Sequence, residues 1–112
     1  MPKSLKVLYV EDDNLTRLMV RKQLKEIFES FSEAENGAVG LEKFKSIKPD
    51  VVVTDISMPI MNGYEMIRNI REMDDGVKII VTTAHTEHDG KLEGCTIIRK
   101  PIIVDELIKS IH

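Results

Sequence analysis

The stretch VVVTDISMPIMNG at residues 51–63 decides the fold of this 112-residue chain. Residues 51–54 form a β-branched run of the kind found in strands that are buried on both faces. Asp55 follows the run directly, and Asn62 with Gly63 marks a turn that leads into a helix. The stretch therefore predicts a buried strand whose carboxyl end carries a carboxylate, followed by a loop and a helix.

Similar runs occur on both sides of this stretch. Strands are predicted at residues 6–10, 51–54, 78–82 and 96–99, with a weaker candidate at 31–35. Amphipathic segments separate them, because apolar residues recur there at helical spacing. Strand–helix alternation of this kind predicts an α/β fold, with a parallel sheet that has helices on both faces. The apolar helical positions are Leu15, Leu18, Met19, Leu24, Ile27 and Phe28, then Val39, Leu41, Phe44 and Ile47, then Tyr64, Ile67 and Ile70, and finally Val104, Leu107, Ile108 and Ile111.

Composition excludes several classes of protein. The 16 basic and 19 acidic residues give a net charge of −3, and 42% of the residues are hydrophobic. These values fit a globular domain and argue against a disordered chain or a nucleic-acid binder held by a basic surface. No apolar run exceeds four residues, so no membrane span is expected. Cys95 is the only cysteine. It is expected to be a small buried residue without a redox function, and the chain is expected to be cytoplasmic.

Polar residues follow the predicted strands at the ends where parallel strands meet. Because ligands of such sheets bind outside the carboxyl ends of the strands, these side chains are expected to converge. Crowded carboxylates need a neutralising cation, and carboxylate oxygens suit Mg²⁺. A hydroxyl and an ammonium group would complete a site for phosphoryl transfer. The residues concerned are Glu11, Asp12 and Asp13 after the first strand, then Asp55, Thr83 and Lys100.

At these positions the sequence resembles the receiver (REC) domain of two-component response regulators, the CheY-like family. Residues 55–63 follow the family pattern Asp-x-x-Met-Pro-x-Met-x-Gly. Residues 10–13, 81–84 and 100–101 match the acidic corner, the hydroxyl-then-small step and the lysine–proline step, in the family's order. The resemblance implies one receiver domain over residues 1–112, with a doubly wound, five-stranded parallel sheet of order 2-1-3-4-5.

The resemblance also implies the roles of the central residues. Asp55 is the expected phosphoacceptor, and a phosphohistidine on a partner kinase is the expected donor. Thr83 is expected to bond a phosphoryl oxygen, and Lys100 to pair with Asp55 or with its phosphoryl group. The bond between Lys100 and Pro101 is expected to be cis, as it is in the family.

The resemblance assigns Mg²⁺ to the acidic corner. Asp12 and Asp55 would ligate the ion directly, Glu11 would act through water, and the backbone carbonyl of Ser57 would be the third protein ligand. Asp13 is then expected to be a helix cap or a group in the outer shell of the metal site. An alternative register makes Asp12 and Asp13 the metal-binding pair.

The region after the fourth strand departs from the family. Only sixteen residues separate Thr83 from Lys100, and residues 86–94 contain two glycines and one large apolar residue. This composition predicts that the fourth helix is shortened or missing. Ile97 stands where the family often has an aromatic residue that reports phosphorylation. The chemistry is therefore expected to be intact while the output surface is altered.

Two histidines lie in the same region. His85 and His88 have acidic neighbours, but a solvated loop is favoured over a second metal site. Ser57 and His85 occupy the two positions at which the family adjusts the rate of dephosphorylation.

Three functions remain open. The first is a signalling switch that catalyses only its own phosphorylation and dephosphorylation. Its partners would be a sensor histidine kinase or phosphotransfer protein and an output domain or target protein. A homodimer is compatible, and no contact with nucleic acid or membrane is expected. The second is a pseudo-receiver, a binding module independent of phosphorylation. The third, a phosphohydrolase, is disfavoured because Ser57 replaces the second acid and no cap domain is present.

Overall fold

The structure, a computed structural model, describes residues 5–84 and 92–112. Within them, five strands form one parallel sheet of order β2-β1-β3-β4-β5, and four helices flank it. This arrangement confirms the predicted doubly wound fold. The strands are β1 (Lys6–Val10), β2 (Ser30–Ala34), β3 (Val51–Asp55), β4 (Lys78–Thr83) and β5 (Thr96–Arg99), and the helices are α1 (Asn14–Ile27), α2 (Gly37–Ile47), α3 (Gly63–Met73) and α4 (Val104–Ile111).

The register of the strands aligns their carboxyl ends. Val10 at the end of β1 pairs with Thr54 of β3, and Thr83 at the end of β4 pairs with Arg99 of β5. Because all four pairings in the sheet are parallel, the residues that follow these strands lie along one edge. This edge carries the candidate site.

The sheet separates two hydrophobic cores. Along β1, Val7 and Tyr9 pack with α1 and α4, whereas Leu8 and Val10 pack with α2 and α3. Side chains of a strand alternate between faces, so a strand covered on both sides must be apolar at successive positions. That requirement explains why the central strands have continuous apolar runs in the sequence.

The weakest predicted strand is the edge strand β2. It covers Ser30–Ala34, one residue earlier than the predicted range of 31–35. Only its last residue is buried, and it pairs with β1 alone. An edge strand with one neighbour and a half-exposed surface does not need a continuous apolar run, which is why its pattern in the sequence is weak.

The apolar face predicted for α1 is partly wrong. The helix buries Val20 and Leu24, and Phe28 follows at its end. These three residues are spaced by four and so lie along one narrow stripe of the helix. The prediction missed Val20 and included four positions that the structure exposes, which are Leu15, Leu18, Met19 and Ile27.

The connection between β4 and β5 is described only in part. Residues 92–94 form a turn, while residues 85–91, including His85 and His88, lie outside the described residues. The prediction of a shortened fourth helix is therefore tested only at the end of its segment. Leu92 is buried in the core beneath α2 and α3, and Ile97 of β5 is 47% exposed. The bond between Lys100 and Pro101 is cis, as expected.

Two leucines of α1 test which face of this helix is buried in the core. Leu24→Ala should lower the free energy of unfolding by about 3 kcal/mol, because Leu24 is fully buried and its loss leaves a cavity. Leu15→Ala is the matched control and should change it by less than about 0.5 kcal/mol, because Leu15 is 76% exposed. Urea unfolding measures both values. Equal losses in the two variants would contradict the assignment.

Candidate functional site

Three carboxylates meet at the carboxyl edge of the sheet. Glu11 and Asp12 follow β1, and Asp55 ends β3. Each offers an oxygen, and these oxygens lie within 4.8 Å of one another. The pairing of β1 with β3 brings them together, as the sequence predicted. Negative charges at this spacing repel each other, so the cluster favours a bound cation.

Lys100 bridges two of these carboxylates. Its Nζ donates to Glu11 Oε1 at 3.0 Å and to Asp55 Oδ2 at 3.1 Å. The side chain of Glu11 is 1% exposed, that of Asp55 is 13% exposed, and that of Lys100 is 26% exposed. The expected ion pair of Lys100 with Asp55 is therefore present, and the same ammonium also compensates the buried charge of Glu11.

Burial and pairing shift the ionisation of this group. Burial raises the pKa of Glu11, against the opposing effect of hydrogen bonds from the Asp13 amide and Lys100. Burial alone would lower the pKa of Lys100, but its bonds and attraction to Glu11 and Asp55 outweigh that effect and raise it. Lys100 therefore remains a cation at neutral pH.

The carboxylate of Asp13 is not one of the three that meet here, and it caps a helix instead. Its carboxylate caps α1 by accepting from the Thr16 amide at 2.8 Å, and its own amide donates to Glu11 Oε2 at 3.2 Å. The hydrogen bonds from Thr16 lower the pKa of Asp13. The capping role was predicted. The grouping of Glu11 and Asp12 with Asp55 favours the first of the two registers considered for the metal-binding pair.

Hydrogen bonds hold the loop that follows β3 close to Asp55. Asp55 Oδ1 accepts from the Ile56 amide at 2.7 Å, and the Gly63 amide donates to the Ile56 carbonyl at 2.8 Å. Met58 and Met61 pack against the core formed with α2 and α3. A Cβ atom on Gly63 would lie 2.4 Å from the Asp55 carbonyl oxygen. Residue 63, the last residue of the motif at 55–63, can therefore lie this close to the Asp55 carbonyl only if it is glycine.

One residue of this loop has an unusual backbone conformation. Ile60 has φ +71° and is 83% exposed, although β-branched residues rarely adopt the left-handed region. Ser57, two residues after Asp55, is exposed. Its carbonyl as a metal ligand stays a prediction.

The two threonines at the end of β4 differ in their contacts. Thr82 is buried, and its hydroxyl lies 3.5 Å from the Thr54 carbonyl oxygen to which it donates. Thr83 is the last residue of the strand, is 2% exposed, and accepts the Lys100 amide at its carbonyl at 2.9 Å. The main chain thus links Thr83 to Lys100. The bond from Thr83 to a phosphoryl oxygen stays a prediction.

Sequence reasoning missed two residues beside the carboxylates. Arg17 donates from Nη1 to the Glu11 carbonyl at 2.7 Å. Arg17 lies four residues after the cap Asp13, one helical turn further on, but that spacing does not indicate which backbone carbonyl it reaches. Tyr9 is fully buried, and its hydroxyl has no partner among the described residues. Burial and the charge of Glu11 raise the pKa of this phenol, which stays neutral.

Cys95 is half-buried rather than buried, which corrects the expectation for it. Arg71 of α3 reaches its Sγ at 3.2 Å and also donates to the Glu93 carbonyl at 2.6 Å. Arg71 therefore ties α3 to the segment before β5. Burial raises the pKa of the Cys95 thiol, which disfavours the reactive thiolate.

A fold and site of this form are typical of receiver domains, and comparison with known proteins agrees. The sequence matches the family described as "Response regulator receiver domain" over residues 7–112. It is 38% identical to the chemotaxis protein CheY of Thermotoga maritima over 100 residues, which cover 88% of this chain and 83% of that protein. For CheY of Halobacterium salinarum the identity is 44% over 78 residues, covering 70% of this chain and 65% of that protein.

Solved structures show the same fold. The N-terminal domain of an uncharacterized protein (WS1339) from Wolinella succinogenes matches with a TM-score of 0.90 and 30% identity, covering 96% of this chain and 91% of that one. The response regulator TrrA from Thermotoga maritima, in complex with Mg²⁺ and BeF, matches with a TM-score of 0.85 and 31% identity, covering 96% of both chains. The chain belongs to the response regulator receiver domain family. Its class is therefore that of a signalling domain.

One further observation concerns membranes. None of the helices in residues 5–84 and 92–112 combines the length and the apolar character that crossing a bilayer requires.

A substitution that adds one methyl group at position 63 tests the close approach of Gly63 to the Asp55 carbonyl. Gly63→Ala should lower the free energy of unfolding by about 3 kcal/mol, because the new Cβ meets the Asp55 carbonyl. Gly76→Ala is the control, since its Cβ would meet nothing closer than Asp74 Oδ1 at 3.5 Å. It should change stability by less than about 1 kcal/mol. Urea unfolding that gave similar values for both variants would refute the steric argument.

The raised pKa of Glu11 predicts a pH dependence of the metal-free protein in EDTA. The folded state binds this proton more tightly than the unfolded state, where the ordinary value is 4.5. Protonation of Glu11 therefore stabilises the folded state. This contribution to the free energy of unfolding is complete below pH 4.5 and is lost as the pH rises through the folded-state pKa. The unfolding free energy of the wild type should therefore fall relative to that of Glu11→Gln as the pH rises from 4.5.

Chemical denaturation from pH 4 to 8 measures this difference. Glu26→Gln is the control, because Glu26 is an exposed carboxylate near the far end of α1. A difference between the wild type and Glu11→Gln that is flat, or that rises with pH, would show that burial does not dominate at Glu11.

Proposed function

We propose that the chain, as one receiver domain over residues 1–112, is the phosphoacceptor switch of a two-component system. In this proposal Asp55 takes a phosphoryl group from a sensor histidine kinase or a phosphotransfer protein, with Mg²⁺ as the cofactor. One observation carries the proposal. Glu11, Asp12 and Asp55 lie within 4.8 Å of one another, and Lys100 bridges Glu11 and Asp55.

The proposed chemistry is one substitution at phosphorus. A carboxylate oxygen of Asp55 attacks the phosphorus of a phosphohistidine on the partner protein. The P–N bond breaks, and the leaving group is the imidazole of that histidine, which stays on the partner. An acyl phosphate forms on Asp55. Lys100 already contacts Asp55 Oδ2 and is placed to balance the added negative charge, while the hydroxyl of Thr83 is the proposed donor to a phosphoryl oxygen.

The donor set suits Mg²⁺. Glu11, Asp12 and Asp55 offer hard carboxylate oxygens, and the Ser57 carbonyl is the proposed further ligand. When bound, Mg²⁺ would neutralise the carboxylates and the charge that develops on the transferring group. The TrrA neighbour, whose structure is a complex with Mg²⁺ and BeF, supports the same assignment here.

The proposed switch follows from the charge that phosphorylation adds. Lys100 would exchange part of its contact with Glu11 for the phosphoryl group, and the end of β4 would follow through Thr83. The loops around the site would then shift between two populations. The domain would act on an output domain or a target protein, as a monomer or a homodimer, and would turn over no external substrate. Absence of direct nucleic-acid binding and a cytoplasmic location remain predictions.

A second candidate is a pseudo-receiver that binds its partner without phosphorylation. Ile97, 47% exposed on β5, favours it, because the family's usual aromatic reporter is absent there. The two functions differ at Asp55. Asp55→Asn would bind the partner normally in a pseudo-receiver and would lose the regulated interaction in a phosphoswitch.

Intact mass after incubation with an acyl phosphate tests the leading proposal. The wild type should gain one phosphoryl group in Mg²⁺ and none in EDTA, and Asp55→Asn should gain none. Asp12→Asn should react at least about tenfold more slowly, as expected for loss of a metal ligand. Asp13→Asn is the matched control, since asparagine also caps helices, and it should react like the wild type.

The outcome that contradicts the proposal is equally direct. If no variant gains a phosphoryl group when decay is trapped by quenching in acid, the phosphoswitch is wrong. If Asp55→Asn gains one as readily as the wild type, the acceptor is another residue.

A further inference from the structure

Arg17 connects three parts of the structure at the edge of the candidate site. Its Nη1 donates to the Glu11 carbonyl at 2.7 Å, and its Nη2 donates to Asn14 Oδ1 at 2.6 Å. Its Nε lies 3.7 Å from Glu33 Oε1 of β2. The side chain is only 16% exposed. One guanidinium group therefore joins the end of β1, the first residue of α1 and the neighbouring edge strand.

This contact fixes the peptide between two of the three carboxylate residues. The Glu11 carbonyl belongs to the peptide unit that joins Glu11 to Asp12, so holding its oxygen fixes the plane of that unit. On the other side, the Glu11 amide donates to the Ala34 carbonyl at 3.0 Å. The backbone of Glu11 is thus held at both its amide and its carbonyl.

Asp12 depends on that backbone for its direction. Its side chain is exposed, and its carboxylate has no hydrogen-bond partner among residues 5–84 and 92–112. By contrast, Lys100 holds Glu11 and Asp55. Two contacts therefore hold the backbone on either side of Asp12: Arg17 holds the Glu11 carbonyl before it, and the Asp13 amide after it donates to Glu11 Oε2 at 3.2 Å. Together they keep the Asp12 carboxylate within 4.8 Å of the others.

We propose that Arg17 is a positioning residue for the cation site, acting through the peptide between Glu11 and Asp12 to aim Asp12 at Asp55. This inference rests on the proposed function, because it assumes that the three carboxylates bind Mg²⁺. Arg17 touches neither the ion nor a phosphoryl group in this account. It sets the affinity for Mg²⁺ by holding one ligand in place before the ion arrives.

The sign of the effect separates positioning from simple electrostatics. A guanidinium group near a cation site repels the cation, so its removal would strengthen Mg²⁺ binding if charge alone mattered. Glu33 offsets part of this charge, since Arg17 and Arg21 both face its Oε1. Positioning predicts the opposite result, a weaker binding of Mg²⁺ when Arg17 is replaced.

Isothermal titration calorimetry of the full 112-residue chain with Mg²⁺ alone measures this. In Arg17→Met the dissociation constant for Mg²⁺ should rise about tenfold, the effect typical of residues that orient metal ligands. Arg21→Met is the matched control, because Arg21 lies one turn further along α1 and pairs with Glu33 at 3.0 Å. It removes the same charge, and its dissociation constant should match that of the wild type.

A second variant covers the case in which Arg17→Met does not fold. Arg17→Lys keeps the charge, but a single ammonium lacks the fork that reaches Glu11 and Asn14 together, so binding should again weaken. Circular dichroism and urea unfolding in EDTA record the fold of each variant. A merely structural role would lower the unfolding free energy without changing the Mg²⁺ dissociation constant of the folded protein.

Three results would overturn the inference. Tighter Mg²⁺ binding by folded Arg17→Met would show that charge dominates, and unchanged binding by folded Arg17→Met or Arg17→Lys would show that Arg17 does not position the site. An equal loss of affinity in Arg21→Met would show that the effect is not specific to Arg17. Absence of Mg²⁺ binding by the wild type would instead refute the proposed metal site, and the inference with it, and this outcome is distinct because it appears before any variant is compared.

Discussion

The repulsion between Glu11, Asp12 and Asp55 is the constraint on which the rest of the site depends. Three carboxylates within 4.8 Å of one another are unfavourable unless cations balance them. Lys100 supplies one cation and divides it between Glu11 and Asp55. Because Glu11 is almost fully buried, its charge cannot be relieved by water. The three carboxylates therefore need more positive charge than one lysine supplies, and this suits them to a bound divalent cation.

The backbone of the sheet and of its loops places the residues of the site. Parallel pairing of β1, β3, β4 and β5 fixes the backbone position of each residue of the site at the edge of the sheet. Two glycines then allow close approach around the loop after β3. Gly63 lies against the Asp55 carbonyl, and the Gly37 amide donates to the Met61 carbonyl at 3.0 Å, where a Cβ would be 2.3 Å from that oxygen. Substitution at either position would have to move the loop that follows Asp55.

The sequence allowed prediction of the features that follow from continuous burial and from strand ends. The central strands need apolar residues on both faces, so their runs were visible, and the residues after them had to share an edge. Edge strand β2 and the buried stripe of α1 were harder, because partial exposure weakens or widens an apolar pattern. Arg17 was not predicted, because its main contact is a backbone carbonyl, and the sequence does not mark which carbonyl a guanidinium will reach.

A backbone contact at the strand ends explains why the residue at position 97 need not affect the proposed phosphoryl-transfer site. Thr83 and Lys100 are linked through the main chain, since the Lys100 amide donates to the Thr83 carbonyl at 2.9 Å. A displacement of either residue on phosphorylation would therefore reach the other without any aromatic side chain between them. Ile97 lies three residues before Lys100 and is exposed, while its neighbour Ile98 is buried in the core with α1 and α4. The backbone link at the strand ends does not pass through the side chain at position 97. In the proposed function, the residue at position 97 would therefore change what the surface presents and not the link between Thr83 and Lys100.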